Sequence, residues 1–444
     1  MKFHTVRPIA ALLAVGCTLI LSACGKVPAS SAASGAAPSF SPSFSPASTV
    51  QGVEWLSDRA DGYCSTSGMY HAIQREDQLA QNLFYIDFAS GQEIYLCNQP
   101  NCTHDSESCP SWLPLSGAIT RVVPVGDKVV ILYGGVSFGQ GDSALPQVLL
   151  MDPDGGNRKT IASFDASDMV AAMPRGGLAR DEGHLYFVLH SRDDSQRTLY
   201  AVDIAAQQVN AVCVLPEEEE KIVGGAGSEL VLSYTPGSYS LENDAADLTT
   251  QYIRLDPASG AVTPLFSRPY TDEFLGCADG KAYLLDGAGA LRSYDLQSGA
   301  PAAELQTDLP AEVLEGTPSW QLGIWDGKAL ISHTLSTDAE SSESADATSS
   351  AAYCSIDLAT GQSTRLPHVY TSEYDNQQPC TVLGQTDTQL LITSGWQSIT
   401  VAYPGSGTDK IDSVSASVST YALMGKEDFW AGRSASLPIT NARS

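Results

Sequence analysis

The sequence predicts an all-β fold, a β-propeller of seven blades, that follows a signal peptide and a disordered tether. Three observations lead to this prediction. A hairpin pattern recurs along the chain, further strand patterns precede most of its copies, and the resulting units of about 40–65 residues have the size of propeller blades. The predicted domains are a lipoprotein signal peptide (residues 1–23), a lipidated cysteine with its tether (24–50) and the propeller (51–444).

The N-terminus has the pattern of a lipoprotein signal. Lys2 and Arg7 precede a short apolar run from Ile9 to Leu21, and the tetrapeptide "LSAC" then ends at Cys24. The run is too short for a helix that spans a bilayer and fits the core of a signal peptide. The tetrapeptide resembles the bacterial lipobox, which implies that Cys24 is acylated, with palmitate as one acyl chain. The alternative is an ordinary secretory signal with an incidental cysteine.

The composition after Cys24 indicates a tether and an acidic body. Residues 25–50 are rich in Ser, Ala and Pro and lack the periodicity that would bury a face. Residues 1–23 contain two basic and no acidic residues, so their removal takes the net charge from -27 to -29. Phosphate backbones and anionic headgroups repel such a body, which excludes nucleic acid as a partner. We expect a monomeric, extracytoplasmic protein that its lipid anchors to the bacterial cell membrane.

Six copies of the hairpin pattern begin at residues 84, 149, 199, 252, 292 and 354. Each is an alternating apolar run that ends in Asp, followed by a short polar loop and a second alternating run. In five copies a glycine stands four residues after the Asp. The Asp side chain can accept hydrogen bonds from such a turn, and the glycine can take the positive φ that closes it. These pairs are Asp87 and Gly91, Asp152 and Gly156, Asp256 and Gly260, Asp295 and Gly299, and Asp357 and Gly361.

Two copies depart from this pattern. Asp203 has Gln207 in the glycine position, and Pro404 replaces the Asp in a weaker seventh copy. Strand patterns such as "GHLYFVLHS" and "GKAYLLDG" stand before most copies. The terminal patterns "STYALM" and "DFWAGRS" are expected to complete the first blade and so to close the ring.

The repeats resemble those of known propellers. The copy "VLLMDPDGGNRKTI" resembles the repeat of TolB-like propellers, and the YxxDxxxG hairpins resemble the low-density-lipoprotein-receptor-type (DUF5050-like) propeller domain of bacterial surface proteins. Together with "LSAC", the tether, "LCNQPNCTHDSESC" and "ALMGKEDFWAG", they resemble a group of propeller lipoproteins from anaerobic Gram-positive gut bacteria. The resemblance implies a fold, and it implies no catalytic residues.

A cluster of three cysteines and one histidine is the main candidate site. "LCNQPNCTHDSESC" contains Cys97, Cys102, His104 and Cys109. Outside the cytoplasm a disulfide, for example Cys97 or Cys102 with Cys109, is the favoured state. Thiolates with an imidazole are also suitable zinc ligands in number and type. Structural zinc is therefore the one cofactor that the sequence suggests, and disulfide, metal and free thiols all remain open.

No catalytic motif has the context that its chemistry requires. "GVSFG" at residues 135–139 lacks the helix that follows a hydrolase nucleophile, and no phosphate-binding loop or HExxH helix is present. We expect a binding or scaffolding module for a glycan, peptide or protein. The alternative is an extracytoplasmic polysaccharide hydrolase or lyase with channel carboxylates such as Asp272, Glu273 or Asp375.

Two further features concern the surface. The insertion "STDAESSESADATSS", residues 336–350, is acidic, rich in serine and without periodicity, which predicts a disordered hairpin loop. Trp320, Trp325 and Trp396 fit either blade cores or a carbohydrate platform. Blade cores are favoured, because burial is the usual use of tryptophan in strand-rich proteins.

Overall fold

In the computed structural model, the described part of the chain forms seven antiparallel sheets of four or five strands and one additional two-stranded sheet. The structure describes residues 52–57, 62–115, 120–134, 145–164, 176–190, 196–215, 220–237, 245–318, 322–335, 351–373, 377–404 and 411–441. The seven larger sheets follow one another in chain order as blades. The predicted all-β, seven-bladed propeller is therefore confirmed.

Each blade takes its strands from one stretch of chain, apart from β1 (Glu54–Leu56), which joins blade 3. Blade 1 contains β2 (Gly62–Cys64), β3 (Gly68–Gln74), β4 (Ala80–Asp87), β5 (Gln92–Tyr95) and β6 (Trp112–Pro114). Blade 2 contains β7 (Arg121–Val125), β8 (Lys128–Tyr133), β9 (Gln147–Met151) and β10 (Lys159–Ser163). Blade 3 contains β11 (Leu178–Arg180), β12 (His184–His190), β13 (Arg197–Asp203) and β14 (Gln208–Leu215).

The second half of the ring is built in the same way. Blade 4 contains β15 (Lys221–Ala226), β16 (Glu229–Tyr234), β17 (Thr249–Leu255) and β18 (Val262–Pro269). Blade 5 contains β19 (Glu273–Ala278), β20 (Lys281–Leu285), β21 (Ala290–Asp295) and β22 (Pro301–Gln306). Blade 6 contains β23 (Thr317–Pro318), β24 (Ile324–Trp325), β25 (Lys328–Thr334), β26 (Ala351–Asp357) and β27 (Ser363–Arg365). The small sheet β28 (Val369–Thr371) and β29 (Gln377–Pro379) precedes blade 7, which contains β30 (Val382–Gln385), β31 (Gln389–Pro404), β32 (Ile411–Gly425) and β33 (Ser436–Pro438).

Seven apolar clusters fill the seven seams between neighbouring blades. The alternation within each strand points every second side chain into a seam, so each blade buries both of its faces. The seam between blades 7 and 1 contains Met69, Ile86, Leu391 and Tyr421, all buried. Because this last seam also has an apolar core, the ring is closed.

The predicted mode of closure is wrong. "STYALM" lies in β32, the third strand of blade 7, and "DFW" lies in a short helix, α2 (Lys426–Trp430). Blade 1 takes all its strands from residues 62–114. The chain instead returns to blade 1 through a parallel bridge between Gln92 and Thr440, where Glu93 donates its backbone N–H to Thr440 at 2.8 Å.

The weak seventh copy also has a different place from the other six. Those six hairpins join the third and fourth strands of their blades, whereas Pro404 ends β31, the second strand of blade 7. β31 and β32 are paired over their whole length, from Gln389–Gly425 to Pro404–Ile411. They extend well beyond β30 and β33. We call their outer part, residues 395–404 and 411–420, the ribbon.

The N-terminal strand β1 leaves the sequential order of strands. It pairs with β11 on the channel side of blade 3, with Glu54 opposite Arg180. The Arg180 guanidinium donates to the Glu54 carboxylate at 2.9 Å, and Trp55 Nε1 donates to the Ile222 carbonyl at 3.1 Å. Residues 52–56 therefore connect the inner strands of blades 3 and 4.

Helices contribute little. The described residues contain α1 (Ala311–Leu314), α2 and one 3-10 turn (Ala245–Asp247). None of the helices in these ranges has the length and apolarity that crossing a membrane would require. The predicted signal peptide, Cys24, the tether and the insertion at 336–350 lie outside the described residues.

Candidate functional site

The outer edge of blade 1 is interrupted by residues 96–111, which we call the cluster loop. β5 and β6 flank this loop, and both pair with β4. The loop leaves and rejoins the sheet at a single residue of β4, Leu83. Leu96 donates its N–H to the Leu83 carbonyl at 2.9 Å, and the Leu83 N–H donates to the Ser111 carbonyl at 2.8 Å. Both ends of the loop are therefore fixed by the sheet, while its interior depends on its own contacts.

The cluster loop brings Cys97, Cys102, His104 and Cys109 together. One ligand atom from each lies within 4.8 Å of the others, and His104 Nδ1 lies 3.3 Å from Cys109 Sγ. Zinc bonds of about 2.3 Å to sulfur and about 2.0–2.1 Å to nitrogen place tetrahedral ligand atoms roughly 3.3–3.8 Å apart. The donor set and its spacing therefore suit a metal ion. Small side-chain movements would bring the four ligand atoms to bonding distance from it.

The cluster shifts the pKa values of its two thiols Cys97 and Cys109 in opposite directions. Burial opposes ionisation of Cys109, but hydrogen bonds from Ser111 and from the thiols of Cys102 and Cys97 outweigh burial and lower the Cys109 pKa. Burial raises the pKa of Cys97 to about 12. Burial, with the nearby Arg75 charge, lowers the pKa of His104 and keeps its imidazole neutral. The Cys109 thiol therefore loses its proton more readily than an ordinary thiol, and a cation could replace the protons of the donors around it.

Blade 1 fixes the orientation of His104. Its ring stacks on Tyr95 with centroids 4.1 Å apart and an interplanar angle of 10°. Its carbonyl accepts hydrogen bonds from Arg75 Nη1 at 2.8 Å and Asn82 Nδ2 at 3.0 Å. The backbone of His104 has a φ of 57°, which is uncommon for a residue other than glycine. The contacts with blade 1 hold the residue in this conformation.

The turn of blade 2 packs against the start of the cluster loop. A Cβ at Gly155 would overlap the Leu96 carbonyl and lie 2.8 Å from the Cys97 nitrogen, so only glycine permits this approach. Arg158 donates to the carbonyls of Pro110 and Trp112 at 2.5 and 2.6 Å. The cluster loop therefore joins two neighbouring blades.

The eight described cysteines all carry free thiols. Those outside the cluster lie in or beside blade strands. Cys354 and Cys380 are buried in the cores of seams, and Cys213 is half-buried against the seam between blades 3 and 4. Cys64 and Cys277 lie on inner strands, where burial raises each pKa to about 12. These pKa values make the two inner-strand thiols poor nucleophiles.

The predicted turn residues lie in the hairpins that join third and fourth strands. Gly91, Gly260, Gly299 and Gly361 have φ values between 66° and 76°. Their Asp partners accept hydrogen bonds within the turn, as Asp357 does from the N–H groups of Ala359 and Thr360. In the degenerate copy, Gln207 itself takes a φ of 54°.

The blade 2 turn differs from the prediction. Positive φ occurs at Gly155 and Asn157, not at Gly156. Asp152 accepts hydrogen bonds from Lys128 Nζ at 2.7 Å and from Asn157 Nδ2 at 2.5 Å. Gly156 instead donates its N–H to Asp154 at 2.8 Å.

The carboxylates proposed for hydrolysis are engaged in ion pairs. Asp272 accepts from Arg268 Nε at 2.7 Å. Glu273 lies 2.8 Å from Nε2 of the buried His333, whose Nδ1 lies 2.6 Å from the Val313 carbonyl. Burial opposes protonation of His333, but the bond to Glu273 outweighs burial and raises the His333 pKa. Asp375 lies outside the described residues.

The tryptophans divide between the core and the surface. Trp325 packs against the seam between blades 6 and 7. Trp396 is 37% exposed, and its Nε1 donates to the Thr371 carbonyl at 2.8 Å. Trp320 lies outside the described residues.

A groove that the sequence did not predict lies beside the cluster loop. It has a volume of about 600 Å³, within the usual range of ligand sites. One wall is the ribbon and the other is blade 1. The lining residues are Ile73, Gln74, Arg75, Glu76, Asp77, Asn82, Phe84, Tyr95, Gln397, Ser398, Ile399, Thr400 and Asn441. Arg75, Asn82 and Tyr95 contact both the groove and His104, so the groove and the cluster share a wall.

Comparison with known proteins found similarity to solved structures alone. No family model and no curated protein matches the sequence. Among solved structures, the propeller domain of the Trilobed protease from Pyrococcus furiosus is 10% identical with a TM-score of 0.47, covering 88% of this chain and 99% of that one. BamB from Moraxella catarrhalis is 12% identical with a TM-score of 0.34, covering 75% and 80%. TolB from Acinetobacter baumannii is 14% identical with a TM-score of 0.33, covering 70% and 65%.

Proposed function

We propose that this propeller is an extracytoplasmic binding module, anchored to the bacterial membrane through Cys24, that recognises a ligand in the groove between blade 1 and the ribbon. The groove carries the proposal, because it joins a recess of ligand size to amide, hydroxyl and charged side chains. The net charge of -27 supports partners other than nucleic acid or anionic lipid.

We further propose that the cluster loop holds one zinc ion with a structural role. Three thiolates and one imidazole would fill the four positions of a tetrahedral site, which leaves no position for a reacting water. Zinc would replace the thiol protons around Cys109 and fix the position of His104. The His104 ring stacks on Tyr95, which lines the groove. The metal would therefore stabilise the shape of the groove.

The binding proposal predicts that filling the groove weakens binding. Ile399 lines the groove from the ribbon, so Ile399→Trp should reduce affinity at least tenfold for any ligand found by screening the body (residues 51–444) against peptide and glycan panels. Ser413→Trp adds the same ring to an exposed position on the other ribbon strand and should leave affinity within twofold. Equal binding by the two variants would contradict recognition in the groove.

The anchoring proposal predicts that Cys24→Ala releases the protein from membranes. Acyl chains contribute about 0.8 kcal/mol per buried methylene, and the acidic body offers no electrostatic substitute. Immunoblots of washed membrane and soluble fractions measure the release, with Cys17→Ala as the matched control that should stay on the membrane. Retention of Cys24→Ala through detergent-free washing would contradict the acyl anchor.

A further inference from the structure

We propose that the groove takes an extended peptide carrying a basic residue, which pairs as an added strand with the edge of β31 beyond Thr393, where no strand among the described residues pairs with it. This inference rests on the proposed binding function and specifies its ligand class. It depends on three features of the groove: the edge of β31, the state of its aromatic residues and its charge.

The first feature is the edge of β31 that borders the groove. The Ala402 N–H donates to the Arg75 carbonyl at 3.0 Å, and the Ala402 carbonyl accepts from the Gln74 side chain. Ala402 therefore directs both backbone groups away from β32. In an antiparallel pair this direction alternates with a period of two, and the register of β31 with β32 is unbroken from residue 395 to 404. Thr400 and Ser398 thus direct their N–H and carbonyl groups toward the same edge.

These backbone groups form a short template for another strand. A peptide that enters beside β31 could exchange hydrogen bonds with Ser398 and Thr400, as in β-strand addition. The lining amide of Gln397 could bind one of its remaining backbone groups. Arg75 bounds the edge at one end, and Thr371, whose carbonyl accepts a hydrogen bond from the Trp396 indole, bounds it at the other. The edge therefore has room for only a short peptide segment.

The aromatic residues of the groove disfavour a glycan. Sugar rings bind on an exposed aromatic face, but Phe84 is only 2% exposed. Tyr95 lies between His104 and Phe84, with centroid distances of 4.1 and 4.7 Å, so its ring is already packed against two others. Backbone recognition is therefore the chemistry that this groove offers.

The charge of the groove selects a basic residue. Arg75 is neutralised by Asp77 through two hydrogen bonds of 2.9 Å, from Nε and from Nη2. Glu76 stands exposed beside this pair and leaves the lining with a net negative charge. A Lys or Arg side chain at the centre of the peptide would compensate it, and the acidic surface of the whole chain would attract such a peptide.

Fluorescence anisotropy with labelled heptapeptide pools tests the proposal on the propeller body. One pool has a fixed central Lys, a second has a central Glu, and a third repeats the Lys pool with alternate backbone nitrogens methylated. We expect the Lys pool to bind at least tenfold more tightly than either of the others. Equal binding of the methylated pool would overturn strand addition, and equal binding of the Glu pool would overturn the charge assignment.

Variants of the edge locate the peptide. Thr400→Pro removes the outward N–H but no hydrogen bond to β32, and it should weaken the Lys pool at least tenfold. Thr400→Ala keeps that N–H and should bind within twofold of the parent. Amide exchange of Ser398 and Thr400 in the unchanged protein should slow at least tenfold when peptide is added, and this measurement needs no variant. Peptide binding without this protection would overturn the proposal.

If Ile399→Trp abolishes binding of a glycan while no peptide pool binds, the binding function stands and the peptide inference is wrong.

Discussion

Replacing Gly299 by Val should lower the free energy of unfolding by about 3–5 kcal/mol, because left-handed strain and steric overlap act together there. Gly299 has a φ of 71° in the turn between β21 and β22. A Cβ at this position would overlap the Leu265 carbonyl of β18 in the neighbouring blade and lie 2.8 Å from its carbonyl carbon. A β-branched side chain would therefore oppose both the turn and the packing of blade 5 on blade 4.

Gly91→Val is the matched control for this prediction. Gly91 has a φ of 66° in the equivalent turn of blade 1, but no atom lies within 4 Å of its added Cβ. Only conformational strain remains in Gly91→Val, so we expect its free energy of unfolding to fall by about 1–3 kcal/mol. Denaturant midpoints of the two variants and the parent measure both effects. Equal midpoints for Gly299→Val and Gly91→Val would show that the contact between blades does not matter.

Loss of a metal ligand should have the second large effect on the stability of the protein. Cys109→Ala removes the buried thiol around which the other donors gather, and we expect it to abolish zinc binding. Free zinc at a thousand times its dissociation constant contributes about 4 kcal/mol to the folded state, so the thermal midpoint should fall by several degrees. Limited proteolysis should then cut the cluster loop, residues 96–111, which should resist cleavage in the parent.

Cys213→Ala is the matched control, because it removes a half-buried thiol outside the cluster. It should keep its zinc and its resistance to proteolysis. Chelator treatment of the parent should reproduce the Cys109→Ala midpoint and leave that of Cys109→Ala unchanged. A chelator effect of equal size in both proteins would place the stabilising metal elsewhere.

The blades could be predicted because their signals are local. Alternation and the spacing of Asp295 and Gly299 lie within one hairpin, and the turn chemistry follows from a few neighbouring residues. The four cluster residues could be grouped for the same reason, since thirteen positions span them. The choice between metal and disulfide needs the positions of the sulfur atoms, which sequence spacing does not give.

The groove and the closure of the ring could not be predicted, because both depend on contacts between distant segments. Gln74 and Ala402, which meet at the end of the groove, are 328 positions apart. The pairing of β1 with blade 3 and the bridge between Gln92 and Thr440 likewise leave no local pattern. The terminal strand patterns predict a first blade shared between the two ends of the chain, whereas the packed side chains of the seam between blades 7 and 1 hold the ring together.

The metal content of the purified protein tests the central claim most directly. Elemental analysis of the propeller body, prepared with reductant and without chelator, should be combined with intact mass after alkylation. We predict one zinc per chain, with Cys97, Cys102 and Cys109 protected until chelator is added, and no zinc in Cys109→Ala. A metal-free protein whose three thiols alkylate fully without chelator, or whose cluster contains a disulfide, would contradict the account.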